Sequence, residues 1–175
     1  REITILDAEE TNRVIMIDDV TEFTLSHMSI RNGLIASSGG GIYSEYNSSN
    51  LVLDNLLIYN NSASSDGGGI YIRSEGSILS NIEVYNNIAD YGGGIYIRSD
   101  YTKLKNVAIY KNYVSTNSNG GGIYCYQCDS SDFENVTITD NQNGIYFRYA
   151  DYVTIVNSII QDDLLARLSN GQETS

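Results

Sequence analysis

At 175 residues the chain has room for one domain with a continuous core and is short for two. Twenty-two acidic against ten basic residues give a net charge of −12, which repels phosphate backbones and excludes nucleic acid as an expected partner. Proline and tryptophan are absent, while 16 Gly and 15 Tyr accompany many β-branched, Asn and Ser residues, a composition suited to short strands and tight turns.

Along the chain, strand-like segments begin at Ile3-Thr4-Ile5 and continue through Val14-Ile15-Met16-Ile17 and Leu25-Ser26-His27-Met28. The string Gly-Gly-Gly-Ile-Tyr then occurs at residues 39–43, 67–71, 92–96 and 120–124, and returns shortened as Asn143-Gly144-Ile145-Tyr146. The steps between its isoleucines are 28, 25, 28 and 22 residues. An Asn-centred segment follows each copy: Leu53-Asp54-Asn55-Leu56, Leu79-Ser80-Asn81-Ile82, Leu104-Lys105-Asn106-Val107, Phe133-Glu134-Asn135-Val136 and Ile155-Val156-Asn157-Ser158. His27 holds the equivalent place earlier in the chain.

Each repeat contains three short alternating segments, as in Ile70-Tyr71-Ile72, Ile78-Leu79 and Ile82-Glu83-Val84-Tyr85, with turn residues between them. Three strands per coil and about seven coils predict an all-β parallel solenoid over residues 1–163, with 164–175 as a C-terminal cap or tail. Alternation points Ile70, Ile72, Leu79, Ile82 and Val84 inward and Tyr71, Arg73, Glu83 and Tyr85 outward. No run of 18 apolar residues exists, so no membrane-spanning helix is expected in this chain. A strand beginning at Ile3 without a signal-peptide pattern points to a mature product or a piece of a longer protein.

With Gly-Ile opening the first strand and Asn at a sharp turn, the chain resembles the right-handed parallel β-helix repeat family, the pectate-lyase-like fold. The block from Val14-Ile15-Met16-Ile17 through Leu25 to Asn32-Gly33, leading into Gly-Gly-Gly-Ile-Tyr, is similar to bacterial surface members of that family. A partial likeness extends to polymorphic membrane protein repeats, but Tyr59-Asn60-Asn61 and Tyr85-Asn86-Asn87 replace their Phe-x-x-Asn tetrapeptide. The resemblance implies a secreted or cell-surface setting. Polysaccharide hydrolases of this fold place several Asp on neighbouring coils with a His and an Arg-Ile-Lys motif nearby, and its lyases need a basic residue and usually a calcium-binding Asp cluster on one face. This chain has one His and no Arg-Ile-Lys, and its Asp pairs, Asp18-Asp19 and Asp162-Asp163, fall at opposite ends. A non-catalytic structural or adhesive module is therefore expected, with a polysaccharide lyase or glycoside hydrolase as the alternative.

Five candidate features remain. Asn55, Asn81, Asn106, Asn135 and Asn157 suit left-handed corner positions and a structural amide ladder. Asn47, Asn60 and Asn135 also begin glycosylation sequons. Cys125 and Cys128 lack a second Cys/His pair, so neither zinc nor any other metal or cofactor is expected, and a disulfide between them is left open. Tyr43, Tyr71, Tyr96, Tyr124 and Tyr146 share one outward position, with Arg73, Arg98 and Arg148 two residues further on, a strip on which sugar rings of a polysaccharide or cell-surface glycan would stack unless the tyrosines pack on one another. Lastly, an unpaired first coil would favour end-to-end self-association into filaments.

Overall fold

The computed structural model describes residues 4–115 and 118–162, together with the backbone of 164–167. Three parallel sheets wind into a right-handed β-solenoid of about six turns, and the described residues contain no helix. The first sheet holds the long strands Thr24–Arg31, Val52–Tyr59, Ile78–Tyr85, Lys103–Tyr110 and Asp132–Thr139, flanked by Thr4–Asp7 and Thr154–Val156. A short sheet stacks Leu34–Ile35, Ser62–Ala63, Ile88–Ala89 and Tyr113–Val114. The third, led by the glycine triplets, runs from Ile15–Ile17 through Ile42–Ser44, Ile70–Ile72, Ile95–Ile97, Ile123–Tyr126 and Ile145–Arg148 to Leu164–Arg167. That sheet holds seven strands over about six turns. Leu164–Arg167 continues the sheet in register with Ile145–Arg148, and the remainder of the expected cap, 168–175, lies outside the described residues.

Register explains the core. Ile42 pairs Ile70, Ile70 pairs Ile95, Ile95 pairs Ile123 and Ile123 pairs Ile145, so identical side chains stack along the axis and each is fully buried. On the long sheet Leu53, Leu79 and Leu104 stack likewise, with the buried Phe133 continuing the row. Strands above and below satisfy the backbone, leaving corners as the places where polar groups need special partners.

The first corner lies inside the long strands. His27, Asn55, Asn81, Asn106, Asn135 and Asn157 all have φ between 50 and 59°, the left-handed region that Asn tolerates. These side chains are exposed, and the amide row is continuous only from Asn81 to Asn135: Asn106 donates to Asn81 at 3.1 Å and Asn135 to Asn106 at 3.1 Å, while Asn81 donates to Asp54 at 2.8 Å.

A second ladder, not anticipated from the sequence, fills the corner between the long and short strands. Asn61, Asn87, Asn112 and Asn141 point inward, and each is buried. Asn61 Nδ2 donates to Asn87 Oδ1 at 3.0 Å, Asn87 to Asn112 at 3.0 Å and Asn112 to Asn141 at 2.9 Å, and Asn141 ends the row on Asp162 at 3.0 Å. The Oδ1 atoms of Asn87, Asn112 and Asn141 also accept the backbone N–H of the Asn one coil below, and each of the four Nδ2 groups donates to a backbone carbonyl: Ile30, Ile58, Val84 and Ile109. The signal was present as an Asn two residues after the end of four of the long strands, in Tyr59-Asn60-Asn61, Tyr85-Asn86-Asn87, Tyr110-Lys111-Asn112 and Thr139-Asp140-Asn141, at steps of 26, 25 and 29 residues.

Candidate functional site

The outward face of the glycine-led sheet carries the predicted strip. Tyr43, Tyr71, Tyr96, Tyr124 and Tyr146 are in register, one per coil. Their rings stack on one another at centroid distances of 5.0 to 5.2 Å, nearly parallel from Tyr43 to Tyr124 and tilted by 37° at Tyr146. Tyr71, Tyr96 and Tyr124 are only 5%, 7% and 3% exposed. Their faces are therefore covered by each other, and the face-on sugar stacking expected of them is not open; a ligand meets ring edges and hydroxyls instead. One coil height is close to a comfortable ring-to-ring separation, so identical aromatics in register bury one another. Burial pushes the phenols of Tyr71, Tyr96 and Tyr124 up, and burial together with the neighbouring Glu45 carboxylate pushes Tyr43 up to about 12. Tyr43, Tyr71, Tyr96 and Tyr124 are thus neutral hydroxyls across the physiological range.

Arginines flank it. Arg13 closes the lower end of the stack, its guanidinium 4.4 Å from the Tyr43 ring centre and hydrogen-bonded to the Ser38 carbonyl at 2.9 Å. One residue beyond Ile72, Arg73 forms an ion pair with Glu45 at 2.9 Å, and that carboxylate also accepts from the Tyr43 hydroxyl. Arg98 is exposed, with its guanidinium 5.3 Å from the ring of Tyr126. Arg148 lies 5.6 Å from the same ring and 5.1 Å from Tyr149, and donates to the Tyr124 hydroxyl at 3.5 Å. Its Nε is buried without a hydrogen-bond partner among the described residues.

Asp66, Tyr91, Tyr96, Arg98, Tyr124, Tyr126 and Arg148 line an open groove of about 250 Å³. Tyr91, 40% exposed, meets Tyr124 edge to face at 5.2 Å. Sequence reading missed Tyr46, Tyr91 and Tyr149 because they sit outside the main strands, although Tyr46 is 70% exposed and lies 5.2 Å from the Arg73 guanidinium.

Asp66 has its carboxyl raised by burial, against the lowering effect of hydrogen bonds from Ser65 and Ser38. A raised carboxyl pKa makes the folded state bind protons more readily than the unfolded chain, so ionisation costs stability as the pH rises through the folded value. Asp66→Asn is expected to raise the unfolding temperature at pH 7, with the difference shrinking towards zero below the ordinary carboxylate range. Thermal scans at both pH values check this, and a gap that widens in acid would sink the assignment.

Cys125 and Cys128 form a disulfide with Cα atoms 5.8 Å apart, and both are fully buried. The bond lies between Ile123–Tyr126 and Asp132–Thr139, the stretch in which the two preceding coils carry the buried Ser74–Ser77 and Ser99–Thr102 hydroxyl contacts. It brackets Tyr126 and Gln127, the latter at φ 50°. Among the described residues, no group of three or more His, Cys, Asp or Glu could hold a metal ion.

A family model described as "Right handed beta helix region" matches residues 46–171. The chain belongs to the right-handed β-helix family. Neither the curated proteins nor the solved structures yield a match. In this β-helix the matched span contains the tyrosine stack from Tyr71 upward, all three strip arginines and the disulfide.

Proposed function

We propose that this β-helix is a non-catalytic extracellular structural or adhesive module, secreted or held at a cell surface, that binds polysaccharide along the glycine-led sheet. The observation that carries the reading is the row of Arg73, Arg98 and Arg148 beside the tyrosine hydroxyls, opening into the groove at Asp66 and Tyr91. Planar guanidiniums and neutral hydroxyls match the hydroxyls and carboxylates of a sugar chain, and the face is long, open and repetitive in the way an extended polymer is. The buried disulfide supports an oxidising setting, since such bonds persist outside the reducing cytosol.

One observation favours the alternative of polysaccharide cleavage: Asp66, its carboxyl raised by burial, shares the groove with Arg98 and Arg148. A single experiment addresses both. The protein is passed over immobilised uronic-acid and neutral polysaccharides, and the same polymers are incubated with it and assayed for new reducing ends and unsaturated products. Retention on at least one polymer with no new ends is the expected result. Failure to bind any of them removes the binding reading, and product formation establishes the enzyme instead.

A further inference from the structure

We propose that Tyr110 is a redox-active tyrosine: the column Tyr59, Tyr85 and Tyr110 on the long sheet takes up the electron vacancy left by a one-electron oxidant, and the radical settles on Tyr110 because Glu83 takes its phenolic proton. The site lies on a different sheet from the polysaccharide face proposed above and stands independently of it.

Composition directs one-electron oxidation to tyrosine. Tryptophan is absent and the only two cysteines are joined in a disulfide, so neither an indole nor a thiol competes. Of the 15 tyrosines, three stand in register on the outer face of the long sheet, one per coil. Their rings stack with centres 5.0 Å apart and planes 3° and 5° from parallel, close enough for an electron vacancy to pass from ring to ring.

The two ends of this column differ in charge. At Tyr59 the Arg31 guanidinium donates to the hydroxyl at 3.3 Å, and a cation there disfavours a positive vacancy. At the other end the Tyr110 hydroxyl donates to Glu83 Oε2 at 3.0 Å. Glu83 reaches it from the coil below, past the small side chain of Ala108, which stands opposite Glu83 in the register. Burial first, and that hydrogen bond second, push the Tyr110 phenol up to about 12, so at neutral pH no phenolate is ready to give up an electron. The proton has to leave with it. One electron passes from Tyr110 to the oxidant, which is reduced by one; the phenolic O–H bond breaks and the proton forms an O–H bond on Glu83. The products are a neutral tyrosyl radical and a carboxylic acid.

Tyr43, in the other stack, supplies the contrast. Its hydroxyl also donates to a carboxylate, Glu45, but that group is paired with Arg73 at 2.9 Å, and Arg13 lies 4.4 Å from the Tyr43 ring centre. A carboxylate held by a cation loses that attraction on taking a proton, and is the weaker base for it. Glu83 forms no ion pair among the described residues.

The intact chain is oxidised at pH 7 with photogenerated tris(bipyridine)ruthenium(III) in the presence of a nitroso spin trap, and the adducts are located by peptide mass spectrometry. Tyr43 and Tyr110 are both half-buried, so the trap reaches them comparably. Tyr110 should carry about tenfold more adduct than Tyr43, a modest share of what a positioned base contributes. Glu83→Gln keeps a hydrogen-bond acceptor but lacks the base, and should lower the Tyr110 adduct by a similar factor. Tyr85→Phe interrupts the column and should raise the adduct at Tyr59. Thermal unfolding confirms that both variants are folded. Equal labelling of Tyr43 and Tyr110, or unchanged Tyr110 labelling in Glu83→Gln, overturns the assignment of Tyr110 and its base; unchanged Tyr59 labelling in Tyr85→Phe overturns transfer along the column.

Discussion

Gly93→Ala is expected to cost more than about 3 kcal/mol, the upper end for forcing a group into filled space, and to lower the unfolding midpoint in urea accordingly. A Cβ on Gly93 would lie 2.1 Å from the Tyr113 carbonyl oxygen and 2.9 Å from that of Gly121. Both obstacles are backbone, and neither can retreat without dragging a coil: Tyr113 is tied into the short sheet through its pairing with Ile88, and Gly121 O accepts the Gly94 N–H at 2.8 Å. The middle glycine of each triplet thus marks where the solenoid is thinnest, with the glycine-led strand touching the end of the short sheet. Gly76→Ala is the control. Gly76 needs positive φ, at 69°, but its added methyl would meet only the Asn50 side-chain amide, so a cost of about 1 kcal/mol is expected from the left-handed backbone. If the two variants unfold at the same urea concentration, the coils do not approach so closely at Gly93.

The second large effect is expected at Asn87. Its amide donates to Ile58 O, Tyr85 O and Asn112 Oδ1, each at 3.0 Å, while its Oδ1 accepts both the backbone N–H and the Nδ2 of Asn61. Asn87→Leu removes all five bonds inside the protein and strands buried donors and acceptors on two other coils, at about 1 to 3 kcal/mol for each group left unsatisfied. A loss on the order of 4 kcal/mol or more follows. Asn87→Asp keeps the size and the acceptor but lacks the donors, and should remain destabilised at neutral pH. The comparison is Asn81→Leu, at the exposed corner, where one amide donor and one acceptor are lost to solvent-accessible partners and the left-handed backbone adds strain, about 1 to 2 kcal/mol together. Equal losses for Asn81→Leu and Asn87→Leu would mean that burial of the inner ladder contributes nothing.

The contrast between these ladders shows how far the residues could be read directly. A left-handed corner requirement is local, so a single Asn flanked by apolar residues at Asn55, Asn81, Asn106, Asn135 and Asn157 is visible in the string itself. Whether an amide is inside or outside depends on which way the chain turns after Tyr59, Tyr85 and Tyr110, and that is set by packing against the third glycines, Gly41, Gly69 and Gly94, whose missing Cβ atoms leave room for Asn61, Asn87 and Asn112.

The sequence by itself determined the solenoid: a repeat that returns an isoleucine every 22 to 28 residues, with alternation inside each segment, can bury its apolar face only by stacking like on like. It also determined the left-handed corners and the common outward register of the tyrosines and arginines. Only the tertiary structure decided that the tyrosine rings stack face to face, that Arg73 is neutralised by Glu45 from the coil below, that Cys125 and Cys128 are joined, and that Tyr91 meets Tyr124 edge to face. The physical reason is one of range. Strand period and backbone conformation are imposed by neighbours within a few residues, whereas what a side chain touches on the surface of a coil is set by residues roughly 20 to 30 positions away, whose relative height depends on every turn length in between.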